Sequence, residues 1–234
     1  MSREIIQSGV KVSFPVMVSY VVLGIACGMV LFDAGFNIIE IGLMSSLVYA
    51  GAAQFLSASM VAMGASFPSI IIMVFFLGLR HILMSASISS FLKEKSLPYM
   101  LLFGHTLSDE SYGLNYSLFL KGDWSPDEAM VVGVSNFLTW VLSTIVGGLI
   151  GSQISINTVI MNYALIAMFI CMMVQQFIST EHMIAGIASI VITVILKVIL
   201  KHNIALVISS IIASFIGYAL EVRKRDLGKG TEHV

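Results

Sequence analysis

Apolar residues run along this chain in long unbroken blocks instead of recurring on one face. Eight such stretches can be marked, near residues 12–32, 41–63, 68–92, 98–120, 129–151, 156–178, 183–200 and 204–221. Most approach or exceed the roughly 20 residues that a helix needs to cross a hydrocarbon core. Short polar punctuation separates the first five. It reads Asp33-Ala34-Gly35-Phe36-Asn37, Gly64-Ala65-Ser66-Phe67-Pro68, Lys93-Glu94-Lys95-Ser96-Leu97-Pro98 and Lys121-Gly122-Asp123-Trp124-Ser125-Pro126. Trp124 suits a headgroup-level anchor. A lipid-embedded segment must pair its backbone groups internally, and nothing resembles the alternating strands of a barrel, so helices are the expected form. The expected fold class is all-α: a polytopic integral membrane helical bundle of about seven to eight transmembrane helices, in which one or two stretches can be broken or re-entrant.

Composition supports the same solvent. The 234 residues are 58% hydrophobic and 11% charged, against about 25% charged in a soluble domain. The net charge is −1, and the scattered basic residues form no patch dense enough for nucleic acid. Cys27 and Cys171 lie in different apolar stretches and form neither ligand spacing nor a disulfide framework, so they read as small buried residues. The stretch from Val12 to Phe32 exceeds the roughly 7–15 residues of a signal-peptide core and reads as the first span. No cofactor is expected.

Orientation follows from the basic residues. Arg3 and Lys11 precede the first stretch, and Arg223, Lys224, Arg225 and Lys229 follow the last. The positive-inside rule places both termini in the cytoplasm and requires an even number of crossings, although Lys93 and Lys95 then face outside. Residues 1–221 read as one transmembrane domain and 222–234 as a short polar cytoplasmic tail. Gly24 and Gly28 form a small-xxx-small pair, which suits close helix packing.

Charged groups inside a span are costly and mark function by default. Arg80-His81 lies about twelve residues from the polar boundary at either end of the third stretch, roughly 18 Å deep at 1.5 Å per residue. His105 and Asp109-Glu110 lie in the fourth stretch, across the short Lys93–Leu97 turn. Counting from that turn brings Arg80 level with Glu110 and His81 level with Asp109. An Arg–carboxylate pair in the bilayer interior is therefore predicted. Two carboxylates against one arginine leave an extra negative charge that a transported proton could neutralise. His105 and Asp109 are four apart, which on a continuous helix puts them on one face, with Ser108 and Tyr112 beside them, as a proton relay. The alternatives are a purely structural ion pair, or a metal site built from His81, His105 and Asp109.

Two further places stand out. Gln54 is a mid-span amide preceded by Gly51 and small residues, which admit a ligand or another backbone. Asn136 and Trp140 share a face of the fifth stretch. Both sites suit either a substrate path or interhelical hydrogen bonding.

These residues carry a resemblance. The runs Tyr49-Ala50-Gly51-Ala52-Ala53-Gln54-Phe55, Gly64-Ala65-Ser66, Leu79-Arg80-His81-Ile82-Leu83-Met84 and Leu107-Ser108-Asp109-Glu110-Ser111-Tyr112, with Trp140, are similar to those of AzlC-type proteins, the large subunits of branched-chain amino acid exporters. The resemblance extends over about residues 10 to 220. It implies a secondary transporter of the bacterial cytoplasmic membrane. The implied substrates are valine, leucine, isoleucine and in some members methionine. Export is driven by the proton gradient, with a small hydrophobic AzlD-type partner subunit. On that reading Arg80, His81, His105, Asp109 and Glu110 form the charge relay, and Gly51, Gln54, Asn136 and Trp140 bind substrate. An intramembrane enzyme is disfavoured, since neither GxSxG nor HExxH occurs. The absence of a Walker loop means the chain itself does not hydrolyse ATP. A permease unit of an ATP-driven importer and a metal or other ion transporter are the alternatives.

Overall fold

The computed structural model describes residues 2–153 and 180–200, with single positions and one short run between 163 and 219. All regular structure among the described residues is helical. The chain divides into two compact units, 1–166 and 167–234. The stretches expected near 156–178 and 204–221, Gln175-Gln176 and the polar tail lie outside the described residues, apart from those single positions and the short run.

Helix α1 covers Arg3–Asp33. It starts well before the apolar stretch because the Ser2 side chain accepts from the Ile5 N–H at 3.4 Å, with Glu4 in the first turn. Pro15 lies inside it, which membrane helices tolerate. Gly35, at φ 101°, turns the chain.

The second apolar stretch is two helices. Helix α2, Ile38–Leu47, opens on a capping box between Asn37 and Glu40. Helix α3, Gly51–Ala62, begins after a break at residues 48–50. Tyr49 in that break has φ 42°, left-handed backbone that costs a non-glycine residue about 1–2 kcal/mol.

Helix α4, Phe67–Ile88, has Pro68 in its first turn, where a missing N–H is harmless, and ends in a 3-10 turn at Ser89–Phe91. The fourth stretch also divides. Helix α5 is Leu97–His105 and α6 is Asp109–Lys121. Ser108 caps α6 by accepting from the Ser111 N–H at 3.2 Å, and Gly122 ends it at φ 91°. Helix α7, Pro126–Gly151, opens on a Ser125–Glu128 capping box.

Three described helices are long and apolar enough to cross a membrane: Arg3–Asp33, Phe67–Phe91 and Pro126–Gly151. In the first unit α1 and α7 make the most extensive pairing. A Cβ on Gly28 would overlap the Thr144 carbonyl, and one on Gly147 would overlap the Ile25 backbone. Gly24 meets the Ser143 hydroxyl in the same way. Glycines thus let the two backbones touch, as the Gly24–Gly28 spacing predicts. Beside this pair, Ile88, Leu92, Phe103, Leu107, Phe119, Ala129 and Met130 form an apolar core. Lys95 Nζ donates to Asp127 Oδ1 at 2.6 Å and holds the α4–α5 turn against the start of α7. In the second unit, α8 spans Thr180–Leu200, and Thr193 donates to Ser209 at 2.6 Å.

Candidate substrate cavity and charge centre

The two helix breaks lie beside one cavity. Its volume is about 260 Å³, and it is lined by residues 48–50 and Ala53, by residues 104, 105 and 107, and by one face of α4 that includes Arg80 and His81. This is slightly below the roughly 300–1,000 Å³ of pockets for drug-sized ligands, and it suits a smaller molecule. Broken helices around a cavity are tolerated in a membrane because the freed backbone groups face a ligand or protein instead of lipid.

Arg80, near the middle of the Phe67–Phe91 helix, pairs with Asp109 across α4 and α6, with Nη2 to Oδ2 at 3.0 Å. The expected ion pair therefore exists, with Asp109 in place of Glu110. Glu110 instead accepts from the Tyr20 hydroxyl of α1 at 2.5 Å. The reason is the break at residues 106–108. Ser108, at φ −123° and ψ 170°, is extended and resets the helical rise and phase, so counting depth through an unbroken helix misplaces both carboxylates.

The same break overturns the expected His105–Asp109 face. His105 ends α5, Asp109 begins α6, and no common helix joins them. His105 Nε2 lies 2.9 Å from the Ser46 carbonyl. A carbonyl can only accept, so Nε2 carries the hydrogen and satisfies one of the last carbonyls of α2. His105 also packs against the Phe137 ring. His81 and His105 both line the cavity, whereas Asp109 reaches it through Arg80. Among the described residues no three His, Cys, Asp or Glu side chains are grouped so as to hold a metal ion.

Gln54, Gly51 and Trp140 come together, but not on the cavity wall. Trp140 Nε1 donates to Gln54 Oε1 at 2.7 Å. Gln54 Nε2 donates to Ser45 Oγ at 2.7 Å, which also accepts from Thr144 at 2.7 Å. This chain ties α7, α3 and α2 together in the buried interior. A Cβ on Gly51 would lie 2.8 Å from the Trp140 ring, so the indole requires glycine there. Asn136 is separate from this group: its Oδ1 accepts from Ser13 at 2.6 Å, and its Nδ2 is buried without a partner.

Two residues at the site were given no role from the sequence, Tyr49 entering only as the first residue of the run that ends at Phe55. Tyr20 holds Glu110 and stacks edge-on with Trp140. Tyr49 lines the cavity at 5% exposure. Its hydroxyl, near Tyr20 and Ser108, meets hydrogen-bond geometry with neither. A tyrosine in an apolar stretch reads as an anchor or packing residue, so neither announced itself. The small residues after Tyr49 were the available signal.

The AzlC protein family matches residues 15–154, more than half of the chain. The Bacillus subtilis branched-chain amino acid transport protein AzlC is 26% identical over 75% of this chain and 69% of its own length. The Escherichia coli inner membrane protein YgaZ is 30% identical over 62% of this chain and 60% of its own. An uncharacterized membrane protein of Helicobacter pylori is 27% identical over 74% and 77%. No solved structure matches the chain. With a family match that spans both helix breaks, the Arg80–Asp109 pair and Trp140, the chain belongs to the AzlC family.

Proposed function

We propose that this chain is the large subunit of a secondary transporter that exports valine, leucine, isoleucine and methionine in exchange for protons. It acts in the cytoplasmic membrane with a small hydrophobic AzlD-type partner, and both its termini are cytoplasmic. The observation that carries the reading is the cavity between two broken helices, with Arg80 of the Arg80–Asp109 ion pair on its wall. The name of the Bacillus subtilis relative supports the substrate class. Transport alone is required of such a site, and no catalytic role is assigned.

The charge arrangement suits proton coupling. Arg80 and Asp109 compensate each other. Glu110 accepts a hydrogen bond from neutral Tyr20, and no cation pairs with it among the described ion pairs. An uncompensated carboxylate within a membrane is costly. A proton on Glu110 removes that charge while the cavity changes its access, and releasing it restores the anion. His81 and His105 border the path along which the proton moves. Gln54, Gly51, Asn136 and Trp140 serve the substrate path by fixing the helices that shape it.

The test is efflux of preloaded labelled leucine, valine and methionine from cells with and without the small subunit, before and after the proton gradient is dissipated. Partner-dependent efflux that stops with the gradient is expected. Absence of efflux for all three, with the protein present in the membrane, would remove this reading.

A further inference from the structure

The residues expected to bind substrate and the residues that line the cavity are different sets. Gln54 and Trp140 bond to each other in the interior, Gly51 makes room for the indole, and Asn136 accepts from Ser13. None of the four is on the cavity wall. The polar side chains there are Arg80, His81 and His105, because the Tyr49 hydroxyl is buried near Tyr20 and Ser108. His105 already gives its Nε2 hydrogen to the Ser46 carbonyl. Among the described residues no aspartate or glutamate lines the cavity, so Arg80 supplies its permanent charge. A cleft lined by charge of one sign draws in the opposite sign.

The Arg80 guanidinium has donors to spare. It presents five N–H groups in a planar fork. Among the described residues it makes one ion-pair contact, Nη2 to Asp109 Oδ2 at 3.0 Å, where a forked pairing would use two parallel bonds. Its Nε has no partner. The side chain is 32% exposed near the middle of the Phe67–Phe91 span. A cation open to hydrocarbon at that depth is costly, so the open edge belongs to the cavity that Arg80 lines. The same wall has room for an occupant: a Cβ on Gly78 or Gly104 would meet nothing within 4 Å. Val48, Val74, Leu77 and Leu107 make the rest of it apolar.

We propose that Arg80 binds the carboxylate of the transported amino acid, through the N–H edge that Asp109 leaves open, while the apolar wall takes the aliphatic side chain. Asp109 is then a positioning residue that orients the guanidinium from α6. A zwitterion adds no net charge, so the occupied centre stays neutral. This rests on the amino-acid reading above and adds the group that recognises the substrate and the requirement for a free carboxylate.

The test is equilibrium binding of labelled leucine to the purified full chain with its small subunit, with unlabelled leucine and leucinamide as competitors. Leucinamide keeps the ammonium and side chain and lacks the carboxylate. Wild type is expected to prefer leucine by about tenfold or more. The double variant Arg80→Gln with Asp109→Asn removes both charges, leaves no unpaired ion, and is expected to lose that preference. Asp109→Asn alone keeps the guanidinium and is expected to retain it. These ratios do not depend on the folded fraction. A measurement on unaltered protein stands beside them: leucine is expected to slow phenylglyoxal modification of Arg80, followed by peptide mass spectrometry, and leucinamide is not. An unchanged ratio in the double variant, an equal loss in Asp109→Asn, or equal protection by the two ligands would overturn the role of Arg80 while leaving amino-acid transport standing. Failure of wild type to bind any branched-chain amino acid would overturn the amino-acid reading, and this inference with it.

Discussion

Gln54 offers the sharpest test of how the site is held. It is fully buried and accepts from Trp140 while donating to Ser45. Gln54→Met keeps the length of the side chain and removes both polar ends. The Trp140 N–H is then stranded, whereas Ser45 still accepts from Thr144. A stranded buried donor costs about 1–3 kcal/mol. Interhelical hydrogen bonds in membrane proteins average about 0.6 kcal/mol and reach about 1.7. A loss of about 1–2 kcal/mol is therefore expected, a fall in midpoint of about 2–4 °C per kcal/mol. Trp140→Phe removes the indole donor and some packing against Tyr20. In the Gln54→Met background it no longer breaks a hydrogen bond, so its cost falls by about 1 kcal/mol. Thermal unfolding of the four proteins in one detergent reads the coupling. Additivity within about 0.3–0.5 kcal/mol would refute the hydrogen-bonded chain. The same double variant weighs the two roles proposed for these residues. Retained leucine efflux per folded molecule makes them scaffold, and lost efflux places them on the path.

Other perturbations have distinct signatures. Gly28→Val puts a side chain onto the Thr144 carbonyl, a backbone atom that cannot move aside alone; destabilisation of at least about 1–3 kcal/mol is expected in detergent unfolding, and wild-type stability would contradict the close α1–α7 contact. Arg80→Ala leaves Asp109 without its cation, so export is expected to vanish with reduced but detectable membrane protein, as read by efflux against immunoblot. Lys95→Met breaks the Lys95–Asp127 bridge between side chains 29% and 35% exposed; at most about 1 kcal/mol is expected, shrinking as salt rises in the unfolding buffer.

The helices outside the breaks were largely legible. The 68–92 and 129–151 stretches match Phe67–Phe91 and Pro126–Gly151 closely, since Pro68, Pro126 and the Ser125–Glu128 box are local signals. The break at residues 48–50 was hidden, because hydrophobic content does not change where a helix stops inside an apolar run, and Tyr49 adopts left-handed backbone without being glycine. The break before α6 left a readable trace: Ser108 ahead of Asp109-Glu110 is a helix-start pattern. The presence of an Arg–carboxylate pair followed from the cost of charge in lipid. Its partner did not, because identity depends on the helical phase that the break resets. Tyr20 and Tyr49 needed three dimensions, since each matters through what its hydroxyl meets or fails to meet.

We propose that Glu110, the carboxylate held by Tyr20, carries the coupled proton. Glu110→Gln keeps an acceptor for the Tyr20 hydroxyl and removes the titrating group. The decisive measurement compares two modes in proteoliposomes containing this variant and the small subunit. One is leucine–leucine exchange at equal pH, and the other is net leucine movement driven by an imposed pH gradient. Exchange is expected to persist while gradient-driven movement is lost. Gradient-driven movement at the wild-type rate would contradict it.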